Sequence, residues 1–145
     1  MCTLAVSLGA DRRWPVVVAA NRDERLGRPA EGWALRDGPG GLRYAAPRDV
    51  EAGGTWIGVS AAGVVAALTN YHAPFDWYPD PRRRSRGELV PLALAAGGAA
   101  GARAALAALD PSAGHHEVEG VEGGRVERGD RSGLEGLGPG LHLVT

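Results

Sequence analysis

The chain has 145 residues, the size of one domain, and its 16 basic residues against 17 acidic ones leave a formal charge of -1, so bulk electrostatic binding of nucleic acid is not expected. All 16 basic residues are arginine, which excludes a P-loop lysine, a Schiff-base lysine and a lysine general base. Cys2 is the only cysteine, so an intramolecular disulfide and a multi-cysteine zinc site are excluded, and a reducing, cytoplasmic setting is the expectation.

Met1 to Leu8 lacks a basic segment, and Asp11, Arg12 and Arg13 cut the apolar run short, so no secretory signal is read there. Thr3 to Gly9 and Pro15 to Ala20 are short runs rich in β-branched residues around a polar turn, which predicts an N-terminal hairpin. Asn21-Arg22-Asp23-Glu24-Arg25 follows at the end of its second strand, a position where a rigid sheet can hold chemistry. Gly27 to Gly54, rich in Gly, Pro and Arg, predicts a loop carrying one short hairpin from Trp33-Ala34-Leu35 and Leu42-Arg43-Tyr44. Thr55 to Ser60 and Val64 to Thr69 form the clearest paired-strand signal. The charge-free stretch from Ala52 to Phe75 is broken by glycines, threonines and Asn70, so no membrane span is expected.

Ser85-Arg86-Gly87-Glu88 fits a capping box and predicts a helix starting at Arg86, with Leu89, Leu92 and Ala96 on one stripe and a kink at Pro91. Ala99 to Leu109 predicts a second helical piece, and Gly114 to Gly140, with scattered charges and few apolar residues, predicts loop or poor order. Gly140 to Thr145 reads as a strand just begun, so the expectation is a single domain over residues 1 to 145 whose C-terminal part is missing. Together these elements predict an α+β fold of antiparallel strands covered by the Arg86 to Leu109 helices, with an unprotected sheet face or edge that a second copy or a missing segment would cover.

Cys2 follows the initiator methionine, and its small side chain permits removal of Met1, which leaves one residue bearing both an amine and a thiol. An α-amine titrates near about 7.7, so it can serve as base for its own nucleophile with no histidine partner. A buried structural cysteine at a strand start is the plainer alternative. Antiparallel pairing sets the start of the first strand beside the end of the second. Asp23 is then placed to hold the α-amine and Arg22 to supply positive charge, while Asn70, at the end of a later strand, is placed to donate to an oxyanion. A solvated, salt-bridged turn is the plainer reading of the charged run.

M-C-T-L at Met1 to Leu4, A-N-R-D-E at Ala20 to Glu24, E-A-G-G-T-W-I-G-V at Glu51 to Val59, A-A-L-T-N at Ala66 to Asn70 and S-R-G-E-L-V at Ser85 to Val90 occur in that order. Together they resemble the NRDE-motif family, the transport and Golgi organisation protein 2 family, over about residues 1 to 96. That family is similar to the N-terminal-nucleophile hydrolases, so the resemblance implies a four-layer αββα sandwich, of which this chain would hold about the N-terminal half. It also implies an N-terminal cysteine amidase or acyl-transfer hydrolase acting on a non-peptide amide. By position, Cys2 matches the nucleophile, Asp23 the carboxylate that holds the α-amine and Asn70 an oxyanion donor. The arginine that stands three residues before that aspartate in the acylases falls here on Ala20, with Arg22 adjacent as a substitute. The closing L-H-L-V-T resembles a family strand that leads into an asparagine and a further segment, so a second group of site residues is expected beyond this chain.

Asn21 and Trp56, which stand in those motifs, and Arg84 and Arg86, in the arginine run before the predicted helix, complete the expected ligand-binding set. Arg82, Arg83, Arg84 and Arg86 near free helical N–H groups suit a phosphate-bearing ligand such as an acyl-CoA, with an exposed basic loop as the alternative. Family members have proposed roles in haem and lipid trafficking, so the second reading is a non-catalytic protein holding haem or an acyl-CoA, with haem the only cofactor in view. His115-His116-Glu117 and Glu119 lack helical metal-ligand spacing, and no metal is expected. Trp77 is placed to line a pocket mouth.

Overall fold

The computed structural model describes residues 2–69 and 85–109 with their side chains, and the backbone of 118–122, 125–130, 133–137 and 140–144. The order of elements is β1 (Thr3–Leu8), β2 (Val16–Asn21), β3 (Ala30–Asp37), β4 (Arg43–Asp49), β5 (Ile57–Ser60), β6 (Val65–Leu68), α1 (Leu89–Ala95), α2 (Ala99–Ala107), β7 (Val118–Glu122), β8 (Arg125–Asp130), β9 (Gly133–Leu137) and β10 (Gly140–Val144). The fold is α+β, as expected, with antiparallel pairing at every strand contact described.

The strands form a three-stranded sheet in the order β10-β1-β2 and a seven-stranded sheet running from β3 to β9 in sequence order. Alternation along β1 explains how they stack. Leu4, Val6 and Leu8 are buried and pack with Ile57 and Ala67 of the large sheet, while Thr3, Ala5 and Ser7 are less buried. The opposite face of the large sheet, with Tyr44, Ala46 and Ala66, packs against Val90, Ala93 and Leu94 of α1 and Ala102 of α2. The described layers are therefore helix, sheet and sheet. Gly58 lets α1 settle onto β5, since a Cβ there would come within 2.6 Å of a Leu94 methyl.

The structure corrects several sequence expectations. Instead of a loop with one short hairpin, residues 30–49 form the long hairpin β3–β4, with Gly40 and Gly41 in a 3-10 turn at Pro39–Gly41. Its outer strand β3 lies at one edge of the large sheet, with Trp33 and Leu35 exposed. Arg86–Glu88 is a 3-10 turn that leads into α1, and Ser85 Oγ accepts from Gly87 N at 3.2 Å, which makes a tighter cap than the expected capping box. Pro91 falls in the first turn of α1, where a missing N–H costs nothing, and the break comes at Gly97 and Gly98, both with positive φ. Residues 118–137, expected as loop, supply β7, β8 and β9. Among the described residues no helix is long and apolar enough to cross a membrane.

Candidate functional site

The β1–β2 register pairs Thr3 with Asn21, so one further step sets Cys2 opposite Arg22. This juxtaposition is a consequence of antiparallel pairing, because the first residue of one strand must meet the last of its partner. Cys2 is buried, and its thiol donates to the Asp23 carbonyl at 3.9 Å. The Asp23 carboxylate accepts from Asn21 Nδ2 at 2.6 Å. Its pKa sits below the usual carboxylate range, first through hydrogen bonding to the chain's amino terminus and then through Asn21. Asn21 therefore acts on Asp23.

Behind this corner lies a charge cluster. Arg22 donates to Asp49 Oδ2 at 2.6 Å, and Arg28 donates to the same oxygen at 2.9 Å. Glu24 lies 3.4 Å from Arg22 and 3.3 Å from Arg28, which closes a ring of two guanidiniums and two carboxylates. The other Asp49 oxygen accepts the backbone N–H groups of Glu51 and Ala52. Burial alone pushes the Asp49 carboxyl up, but the Ala52 amide, Arg28 and Arg22 outweigh it and hold the group below the usual range. Arg22 also lies over the Trp56 ring, 4.4 Å from its centroid, so its orientation is fixed by a carboxylate and an aromatic face together.

A cavity of about 100 Å³ opens at this point, with Cys2, Arg22, Trp56, Thr69 and Arg86 among its walls. Arg86 reaches it because two glycine-containing motifs touch. A Cβ on Gly54 would come within 2.4 Å of Gly87, and Thr55 N donates to the Gly87 carbonyl at 3.1 Å, so only bare backbone allows the approach that carries the Arg86 turn to the wall. Burial pushes the Arg86 pKa below its ordinary range, the negative charges of Cys2 and Glu24 act the other way, and Arg28 adds to the lowering. Arg86 is thus within electrostatic reach of the thiol.

Cys2, Asn21, Arg22, Trp56 and Arg86 are brought together around one cavity, and Asp23 touches Cys2 from beside it. Arg22 is committed to Asp49, Glu24 and Trp56. Asn70 and Arg84 lie outside the described residues, as do Arg82, Arg83, Trp77, His115 and His116. Glu119 is described only through the backbone of β7. Asp49 and Arg28 were missed. The signal for Asp49 is an Asp with glycines close behind it, R-D-V-E-A-G-G, the pattern of a carboxylate that folds back onto following backbone amides.

A family model described as "Transport and Golgi organisation 2" matches residues 1–109. The chain is 42% identical over 82 residues to the Transport and Golgi organization protein 2 homolog of Homo sapiens and 42% identical over 79 residues to the Transport and Golgi organization 2 homolog of Mus musculus. A third relative, the Transport and Golgi organization protein 2 homolog of Bos taurus, is 40% identical over 78 residues. Each match covers 52% of this chain and 26% of the relative, so the chain spans about a quarter of the length of the curated relatives it matches.

Proposed function

The chain belongs to the Transport and Golgi organisation 2 family, and from that premise we propose that it is an N-terminal-cysteine hydrolase of a small, non-peptide amide on an N-terminal-nucleophile-hydrolase-like sandwich. The observation that carries the reading is the corner where the Cys2 thiol reaches the Asp23 backbone carbonyl, beside a carboxylate that Asn21 orients. Removal of Met1 moves the α-amine onto the residue that bears the thiol, next to Asp23. The amine then accepts the thiol proton as sulfur attacks the amide carbonyl carbon, and returns it to the departing nitrogen as the C–N bond breaks. Water cleaves the resulting thioester. In this reading Asn70 donates to the oxyanion.

The cavity of about 100 Å³ beside Cys2 has room for a small amide. The test is turnover of a panel of small amides by the wild type, by Cys2→Ala and by a form in which Met1 is retained. Hydrolysis by the wild type alone supports the reading, whereas equal hydrolysis by all three overturns it.

A further inference from the structure

We propose that Arg86 is an anion receptor beside Cys2, so that the substrate is an amide carrying a carboxylate a few atoms from its scissile carbonyl. The inference deepens the hydrolase reading and rests on Cys2 being the attacking group. It begins with how the cations around the cavity are engaged. Arg22 and Arg28 spend their donors on Asp49 and Glu24, and Arg25, outside the cavity wall, pairs with Glu51 at 3.0 Å. Arg86 differs. Among the described residues its guanidinium makes no hydrogen bond and no ion pair, yet it is half-buried in the wall that also holds Cys2.

A guanidinium withdrawn from water without a partner keeps five N–H donors in a planar fork, a shape that matches a carboxylate with two parallel hydrogen bonds. The walls add to the attraction, since three guanidiniums (Arg22, Arg28 and Arg86) face two carboxylates (Glu24 and Asp49). The cavity, about 100 Å³, has room for a carboxylate beside the reacting carbonyl. The Gly54–Gly87 contact fixes the turn that carries Arg86, so the receptor stands on packed backbone.

The experiment uses the chain's only cysteine. Cys2 is alkylated with iodoacetate and, separately, with iodoacetamide, and the ratio of the two rate constants is divided by the same ratio for an uncharged free thiol such as 2-mercaptoethanol. Both reagents react with the thiolate, so changes in thiol acidity or access cancel, and the quotient reads recognition of a carboxylate. The wild type is expected to favour iodoacetate at least tenfold over the free thiol, with sodium acetate protecting Cys2. Arg86→Gln is expected to bring the quotient to about 1 and Arg86→Lys to an intermediate value. Arg43→Gln, which removes the same charge at an exposed position away from the cavity, is expected to leave it unchanged, and circular dichroism verifies that each variant is folded. A wild-type quotient near 1, a full preference surviving in Arg86→Gln, an equal loss in Arg43→Gln, or a thiol that reacts with neither reagent overturns the proposal. The quotient does not depend on amide turnover. A charge-selective thiol in a chain that hydrolyses no amide refutes the hydrolase reading and leaves the receptor standing.

Discussion

Replacing Asp49 by Ala tests whether the charge cluster behind Cys2 holds the site together. The Asp49 side chain is only 10% exposed and accepts from Arg22 at 2.6 Å, from Arg28 at 2.9 Å and from two backbone amides at 3.0 and 2.9 Å. Alanine strips all four interactions and leaves Arg22 and Arg28 sharing Glu24, with side chains that are 17% and 21% exposed. Breaking a buried pair by removing one partner costs about 3–5 kcal/mol, because the remaining charge stays desolvated. Partial access of water to both guanidiniums puts the expected loss at the lower end, about 3 kcal/mol, or a fall of roughly 10 °C in melting temperature. The assay is urea unfolding followed by tryptophan fluorescence, with Trp56 as a reporter beside the cluster.

The pH dependence has a defined sign. The folded-state pKa of Asp49 lies below the usual carboxylate range, so its contribution is fully present above the unfolded-state pKa and fades as pH falls through the folded-state pKa. The gap in stability between wild type and Asp49→Ala is therefore expected to be widest near neutral pH and to shrink below the ordinary carboxylate range. A loss under about 1 kcal/mol near neutral pH, or a gap that does not narrow in acid, refutes the reasoning and reduces the cluster to surface ion pairs.

Gly54→Ala sets a Cβ within 2.4 Å of Gly87, so a loss of about 1–3 kcal/mol is expected in urea unfolding, together with a reduced iodoacetate preference as the Arg86 turn is displaced. Gly63→Ala meets open space at φ +79° and is expected to cost about 1 kcal/mol with no effect on that preference. Arg22→Lys keeps the charge but loses the planar contact with Asp49 and Trp56, so a loss of about 1–2 kcal/mol is expected by the same assay. Asp23→Asn is expected to lower kcat/KM for a hydrolysed amide about 100-fold by releasing the amine from its anchor, and an unchanged value contradicts the assigned role.

The parts of the fold that were legible in the sequence are those whose local pattern and tertiary environment agree. Thr3–Leu8 alternates and is buried on one side, and Ala99–Ala107 is alanine-rich and helical. The β3–β4 hairpin was obscured because glycine, proline and arginine dominate the composition of residues 27–54 while the strands between them are stabilised by pairing. For residues 118–137 the apolar positions are sparse, and the register that aligns Val121, Val126 and Leu137 with Val65 is a property of the sheet that a local window does not contain.

Legibility of the site followed the same line. Cys2 and Asp23 were found because hairpin geometry alone makes strand ends neighbours, and five ordered motifs mark the same residues. Arg86 was singled out as part of an arginine run and expected to act beside free helical N–H groups. Its actual place depends on the Gly54–Gly87 contact, which joins two segments some thirty residues apart. Asp49 was missed because its role exists only when Arg22, Arg28 and the Glu51–Ala52 backbone converge on it.

The most direct test of the central claim is intact-mass spectrometry of the native chain after a reagent that condenses only with an N-terminal 1,2-aminothiol, run on the wild type and on Cys2→Ser. The account predicts loss of Met1 and one label on the wild type, with no label on Cys2→Ser. A wild-type chain that retains Met1 and takes no label contradicts it, because the thiol then has no amine of its own to take its proton.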